Sequence, residues 1–227
     1  MRWMHHLVFP MLLAASGCAR IYRPVTLAAP VPAAQNADLA GGLAIQPWGD
    51  NSRYEARARE AHLRVAVLSV ENRSGTDLEL LDLEPAEGSA RIPAETAWGL
   101  VRQRIGTYVI LPLFPVLLAA GASSKGSMGP SDQTLFLAVA MVGACIGIPN
   151  AVVASRSNRR LAAFFKDAAW APGILRSGGT SRGLVFLRSP DPGEPLFLNV
   201  TYRLGGQERR LRLLCPGSTY GGRSGQR

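Results

Sequence analysis

Histidine, cysteine and lysine are scarce in this sequence, and their scarcity limits the chemistry that the chain can support. There are three histidines and three cysteines among 227 residues, and all but two of the 25 basic residues are arginine. His5 and His6 lie in an N-terminal leader, so a processed chain keeps only His62. A single histidine within a predicted strand is more often structural than catalytic, and we interpret His62 in this way.

The sequence also lacks the motifs of common catalytic and cofactor sites. It has no HExxH, no paired cysteine or histidine spacing and no P-loop. Its one G-x-S-x-G, at residues 179–183, leads into a predicted strand and not into a helix, so it is not the strand-to-helix elbow of a nucleophilic serine. We therefore predict that the protein is not an enzyme and that it has no catalytic residues, metal ligands or cofactor. Glu79, Asp82, Glu84 and Glu87 form an acidic group that is typical of a solvated edge. They lack the oxygen-ligand loop pattern of a calcium site.

The net charge of +9 is spread along the chain. Nucleic-acid-binding surfaces usually combine a basic stripe with aromatic side chains, and no such pattern is present here. We expect no nucleic-acid partner. An arginine-biased composition explains the charge as well as any function does.

Residues 1–17 have the pattern of a signal peptide, with Arg2 before a short apolar run and small residues after it. The run is too short to cross a bilayer, which takes about 20 residues. Ser16-Gly17-Cys18 resembles the lipobox of bacterial lipoproteins, in which the cysteine is acylated. The resemblance implies lipidation at Cys18, although Ala15 stands where leucine is usual and would also suit ordinary signal peptidase. Ala19, which is not aspartate, implies the outer membrane rather than the inner one.

The next segment, residues 18–42, is rich in Pro and Ala and has no sustained periodicity. We predict that it is a flexible tether. The Gly- and Ser-rich residues 216–227 are predicted to form a disordered tail.

Two segments, residues 43–92 and 171–215, carry the strand patterns. We predict strands at residues 43–45, 62–70, 78–83, 182–188, 196–204 and 207–214. The near-continuous apolar run at 62–70 indicates burial on both faces, whereas 196–204 alternates as a half-buried antiparallel strand does. Gly205-Gly206 predicts a tight turn between the last two strands.

Residues 93–170 form a helical insert between these segments, with an apolar hairpin at 105–155. Its two apolar runs, 105–121 and 135–154, would be about 25 and 30 Å long as helices, close to a bilayer core. Ala140, Gly143, Ala144 and Gly147 are spaced for close helix approach. Basic residues flank the runs: Arg102 and Arg104 precede them, and Arg156, Arg159, Arg160 and Lys166 follow them. The segment after the runs has an apolar side, formed by Leu161, Phe164 and Phe165, that fits a membrane surface.

The charges around this hairpin oppose the topology that the leader predicts. The leader places both ends of the hairpin in the periplasm, but the positive-inside tendency would place the flanking arginines in the cytoplasm. Three interpretations remain open: a transmembrane hairpin, a monotopic insertion or oligomer interface, and a pair of helices buried against the strands.

A strand ending in V-x-N-x-S at Val70–Ser74, followed by a turn and an L-x-L return, resembles an edge hairpin of the immunoglobulin-like domains of bacterial envelope proteins. The layout as a whole resembles bacterial lipoproteins in which a hydrophobic helical pair interrupts such a domain. The resemblance implies an α+β fold, an antiparallel immunoglobulin-like β-sandwich with an inserted apolar α-helical hairpin.

From these features we predict a non-enzymatic envelope lipoprotein that faces the periplasm and acts as a binding or scaffold module. Its expected partners are membrane lipid, through acylated Cys18 and the hairpin, and an envelope protein or a second copy. The alternative is a lipid-handling or membrane-remodelling protein.

Overall fold

The computed structural model describes residues 19–85, 88–108, 130–189 and 194–215. The chain divides into two compact units. The helical unit comprises Met1–Tyr22 and Arg102–Arg160, and the two-sheet unit comprises Arg23–Val101 and Leu161–Arg227.

The helices and strands follow one another in an order that places the longest helix between two groups of strands. The elements are β1 Ala34–Gln35, β2 Leu39–Ile45, α1 Ser52–Glu60, β3 Leu63–Asn72, β4 Leu78–Pro85, β5 Ala90–Arg91, α2 Ala94–Val101, α3 Pro130–Ala168, β6 Gly173–Leu175, β7 Thr180–Arg188, β8 Leu196–Leu204 and β9 Gln207–Cys215.

The strands form two antiparallel sheets. The first has the order β1-β2-β3-β7-β5 and the second the order β6-β4-β8-β9. Strands from before and after the long helix therefore pair directly, with β3 beside β7 and β4 beside β8. The α+β class that we predicted is confirmed at this level, and so is the joining of the two strand segments into common sheets.

One apolar core receives side chains from both sheets. Leu43, Leu68 and Val185 of the first sheet belong to the same buried cluster as Leu83 and Val200 of the second. Because side chains alternate along a strand, β3 turns its remaining apolar residues to the opposite face. These residues are buried too, which confirms the burial on both faces that the sequence predicted for this strand.

The C-terminal part of α3 helps to cover that opposite face. Phe165 is 1% exposed, and its ring centroid lies 4.7 Å from that of Phe186 on β7 and 6.1 Å from that of Trp48. Leu161 is buried as well. Our prediction that Leu161 and Phe165 form a membrane-facing apolar side is wrong, because the helix packs these residues into the core of the two-sheet unit.

The six predicted strands match β2, β3, β4, β7, β8 and β9. Gly205 and Gly206 have φ values of 56° and 83°, the left-handed conformation of a two-residue hairpin turn, as predicted. The strands that we did not predict, β1, β5 and β6, have two or three residues each. Periodicity cannot identify segments of this length.

The predicted tether, residues 18–42, has a different structure from the one expected. Its described part includes β1 and the first residues of β2, and Asn36 closes the turn between them by accepting a hydrogen bond from the Leu39 N–H at 2.8 Å. Asn36 Nδ2 also donates to the Tyr202 hydroxyl at 2.9 Å, and that hydroxyl donates to Asp38 Oδ2 at 3.1 Å. Burial raises the pKa of Tyr202 above its ordinary value, so the hydroxyl stays protonated as a donor. These bonds join the described part of the segment to β8.

Asn72 explains the V-x-N-x-S pattern. The side chain is 1% exposed, and its Nδ2 donates to the carbonyl oxygens of Thr76 at 2.7 Å and Leu175 at 2.9 Å. Its Oδ1 accepts from the N–H and the hydroxyl of Ser74. The motif is therefore a turn fixed by a buried, fully used amide.

His62 follows the end of α1, with φ 54° and its N–H bonded to the carbonyl of Arg59. This left-handed position strains β-branched residues most. We predict that His62→Val lowers the free energy of unfolding by about 1–2 kcal/mol, whereas His62→Gly and His62→Asn change it by less than about 0.5 kcal/mol. Chemical denaturation of the purified full-length chain measures the difference. If the valine variant is as stable as the asparagine variant, the strained turn is not a determinant of stability.

Candidate functional site

The residues that follow the predicted lipidation site in the chain, 19–22, lie along α3 in the helical unit. The N–H of Ala19 donates to Asn150 Oδ1 at 3.0 Å, and the N–H of Tyr22 donates to Ser157 Oγ at 3.1 Å. Three extended residues advance about 10 Å, and seven helical residues rise by about the same amount. Residues 19–22 therefore run parallel to this part of the helix. Cys18 itself lies outside the described residues.

A buried group of polar side chains holds a third segment against the same part of α3. Gln103 N–H donates to Asn158 Oδ1 at 2.8 Å, and Asn158 Nδ2 donates back to the Gln103 carbonyl at 2.9 Å. The Gln103 side chain donates to the Arg20 carbonyl at 2.7 Å and accepts from the Tyr108 hydroxyl at 3.1 Å. Gln103 and Asn158 are 1% and 7% exposed. We call these contacts the Gln103–Asn158 node.

The face of α3 away from the node carries an exposed apolar stripe, which consists of Met141, Cys145, Ile148 and Val152. Met141, Ile148 and Val152 are 68%, 61% and 44% exposed, and the free thiol Cys145 is exposed between them. Their spacings of three and four residues place them on one side of the helix. Asn150, which binds Ala19, lies within the residues that the stripe spans. The stripe is an apolar surface on the same helix turns that hold the residue after Cys18.

Along α3 the stripe is followed by charge, and Arg156 and Arg159 continue on the stripe's side of the helix. Arg156, Arg159 and Arg160 are exposed on α3, and Arg102 and Arg104 are exposed on either side of Gln103. Arg20, whose carbonyl Gln103 binds, is exposed as well. The node thus brings arginines from three separate chain segments to one part of the helical unit.

The predicted hairpin can be compared with the structure only in part. Residues 109–129, which include most of its first apolar run, lie outside the described residues. The second run belongs to α3, where Gly147 of the predicted small-residue face is buried and Ala144 is half-buried.

In the described part of the chain, no helix is long and apolar enough to cross a membrane.

The two-sheet unit contains a cavity of about 410 Å³. Its walls are mainly apolar and include Leu83, Leu184 and Phe186. Arg91 lies at the cavity with a guanidinium nitrogen 2.7 Å from Asp82 Oδ1, and its Cζ is 5.5 Å from the ring centroid of Trp170. The volume and lining suit a small ligand with an apolar body.

Trp170 and Asp82 are polar members of the cavity lining. Trp170 lines it with 6% exposure, and the buried indole N–H has no hydrogen-bond partner within the described residues. The strand that carries Asp82 has a register shift between Leu80 and Asp82, and a bulge of this kind re-aims the side chains beside it.

The predicted acidic group is an edge of cross-strand ion pairs. Glu79 lies 2.9 Å from Arg203, Asp82 2.7 Å from Arg91, and Glu84 3.8 Å from Arg210. Glu87 is outside the described residues. No cluster of His, Cys, Asp and Glu suited to a metal ion occurs in the ranges that the structure covers.

Neither the protein-family models nor the curated proteins include a match to this chain.

The Gln103–Asn158 node and the cavity were not predicted from sequence. Asn158 lies in an arginine-rich run that reads as solvent-exposed, and Gln103 lies between two arginines. The one available signal was an asparagine within a helix, an unfavourable position unless its side chain has a local role.

The node is testable with Asn158→Leu, which keeps a similar volume but leaves the Gln103 N–H and carbonyl without their partner. We expect a loss of about 2–4 kcal/mol in unfolding free energy, because two buried backbone groups become unpaired. Hydrogen exchange at the Gln103 amide should accelerate in the same variant. The control is Ser155→Ala on the same helix, which should change neither. An unchanged Gln103 amide in Asn158→Leu would contradict the role of the node.

Proposed function

We propose that this protein is a lipoprotein of the bacterial cell envelope, anchored through acylated Cys18 and facing the periplasm, with the outer membrane favoured. It acts as a non-enzymatic binding or scaffold module. The leader of residues 1–17 and the Ser16-Gly17-Cys18 sequence support the anchor. The sequence has no HExxH motif, no P-loop and no paired metal-ligand spacing, which supports the non-enzymatic role.

The observation that carries the proposal is the hydrogen bond from Ala19 N–H to Asn150 on α3. Consecutive Cα atoms are about 3.8 Å apart, so acyl chains on Cys18 would begin one residue from the turns of α3 that bear the exposed apolar stripe, on the opposite side of the helix. Lipid chains and the side chains of Met141, Ile148 and Val152 would then enter the same apolar layer. Each buried CH₂ contributes about 0.8 kcal/mol, so the stripe adds to the anchoring.

We further propose that the two sheets form an immunoglobulin-like β-sandwich, as the resemblance implies. The core cluster shared by both sheets supports this arrangement. The apolar hairpin of residues 105–155 serves membrane insertion or self-assembly, for which the exposed stripe on α3 is the supporting observation.

The anchor is tested by labelling cells with an alkyne fatty acid and comparing Cys18→Ala with Cys145→Ala. We expect Cys18→Ala to lose all label, because it removes the acylated thiol, and Cys145→Ala to keep it. Cys18→Ala should still sediment with membranes through the stripe. Label on Cys18→Ala would exclude the anchor, and release of that variant as a soluble protein would exclude the stripe as a membrane contact.

A lipid-handling protein is the second candidate, because the cavity has apolar walls and a guanidinium beside them. If this candidate is correct, the full-length chain will bind a fluorescent fatty acid saturably. Ala94→Phe, at the cavity lining, should weaken that binding at least tenfold, whereas Thr96→Phe, exposed on the same helix, should not. Equal affinity in the two variants would remove this candidate.

A further inference from the structure

The described residues of the helical unit are strongly cationic. Residues 19–22, 102–108 and 130–160 contain six arginines and one acidic residue, Asp132. All six arginines are exposed. We call them the arginine collar: Arg20, Arg102, Arg104, Arg156, Arg159 and Arg160.

Buried hydrogen bonds, rather than chance on a flexible surface, gather the collar. Arg102 and Arg104 flank Gln103, whose backbone is bound at both polar groups by Asn158. Arg159 and Arg160 directly follow Asn158, and Arg156 precedes it by two residues. Arg20 is joined to the same node through its carbonyl. Each arginine is therefore at most two residues from a buried polar contact, so the charges have a defined location.

The α3 members of the collar follow the apolar stripe along the helix, and Arg20, Arg102 and Arg104 lie at the node on the other side of the same turns. Val152 and Arg156 are four residues apart on one face of α3, a rise of about 6 Å. An apolar surface that gives way to arginines over one turn matches the change from acyl chains to phosphates at a bilayer surface, where arginine side chains reach for the headgroups.

We infer that the arginine collar binds the phosphates of anionic phospholipids in the membrane that holds the acylated Cys18. This inference rests on the proposed function. Arginine suits the partner because its planar guanidinium forms paired hydrogen bonds with phosphate oxygens. The adjoining apolar stripe distinguishes a lipid phosphate from a nucleic acid or a soluble anion, since neither of those has an apolar layer beside its charge.

The test uses the full-length chain with Cys18→Ala, so that binding depends on the stripe and the collar alone. Flotation with vesicles of phosphatidylcholine is compared with flotation with vesicles of equal parts phosphatidylcholine and phosphatidylglycerol. We expect tighter binding to the anionic vesicles, and we expect added salt to reduce the difference. Arg159→Gln with Arg160→Gln should weaken binding to the anionic vesicles about 30-fold, from roughly 1 kcal/mol for each arginine. Binding to phosphatidylcholine should not change.

The matched control is Arg176→Gln with Arg188→Gln, which removes the same charge from exposed positions in the two-sheet unit. It should leave both affinities unchanged. Three outcomes would each overturn the inference. The chain could bind the two vesicle types equally, or the two variant pairs could lose the same affinity for the anionic vesicles. The collar pair could also lose as much affinity for phosphatidylcholine as for the anionic vesicles. Acyl labelling of the native chain at Cys18 is independent of all three results, so the anchor can stand when the collar fails. An unchanged melting temperature in the collar pair confirms that the loss is one of binding.

Discussion

The antiparallel pairing of β3 with β7 is the constraint on which the two-sheet unit depends. The register runs from Leu63 opposite Arg188 to Glu71 opposite Thr180, although the whole of the helical excursion separates these strands in sequence. Both strands carry apolar side chains on both faces. One face is covered by the second sheet, and the other needs a separate cover. Phe165 at the end of α3 supplies part of it by packing on Phe186. The return of the chain from the excursion is thus part of the core, because the residues that end the helix bury the strand that follows.

Amide side chains fix the segments that the strands do not hold. Asn72 shapes the turn after β3, Asn36 shapes the turn between β1 and β2, and Asn158 holds residue 103 beside α3. Asn72 and Asn158 are buried and bind backbone groups that would otherwise lose their hydrogen bonds on burial, and an unpaired group in the interior is costly. Asn36 is exposed and bonds to its turn and to the Tyr202 hydroxyl. Their contribution is therefore mainly to specify one arrangement of loops.

The sequence was informative where a long pattern repeats and uninformative where one side chain decides. The alternation in β8 and the continuous apolar run in β3 predicted these strands and the burial of β3, because periodicity reports which faces meet the core. The residues of the predicted tether are rich in Pro and Ala and have no sustained periodicity, so nothing in their pattern indicates the bonds of Asn36 with Tyr202. For Leu161 and Phe165 the amphipathic pattern was correct, but it does not identify what covers the apolar side. A sheet face and a membrane surface produce the same pattern, and only the fold distinguishes them.

Sequence and structure lead to different interpretations of the arginines beside the apolar runs. As a topological signal they contradict the leader, since basic flanks favour the cytoplasmic side. The node relates them instead to local structure, because three of the arginine-bearing segments meet at Gln103 and Asn158. On the proposed function, a cationic cluster beside an apolar stripe is suited to phosphates on the side of the membrane where the proposed anchor inserts. On the proposed function, the charge at these positions reflects contact with the membrane surface, and the conflict with the positive-inside tendency disappears. That tendency concerns which loops are translocated, whereas the collar concerns what a translocated unit binds.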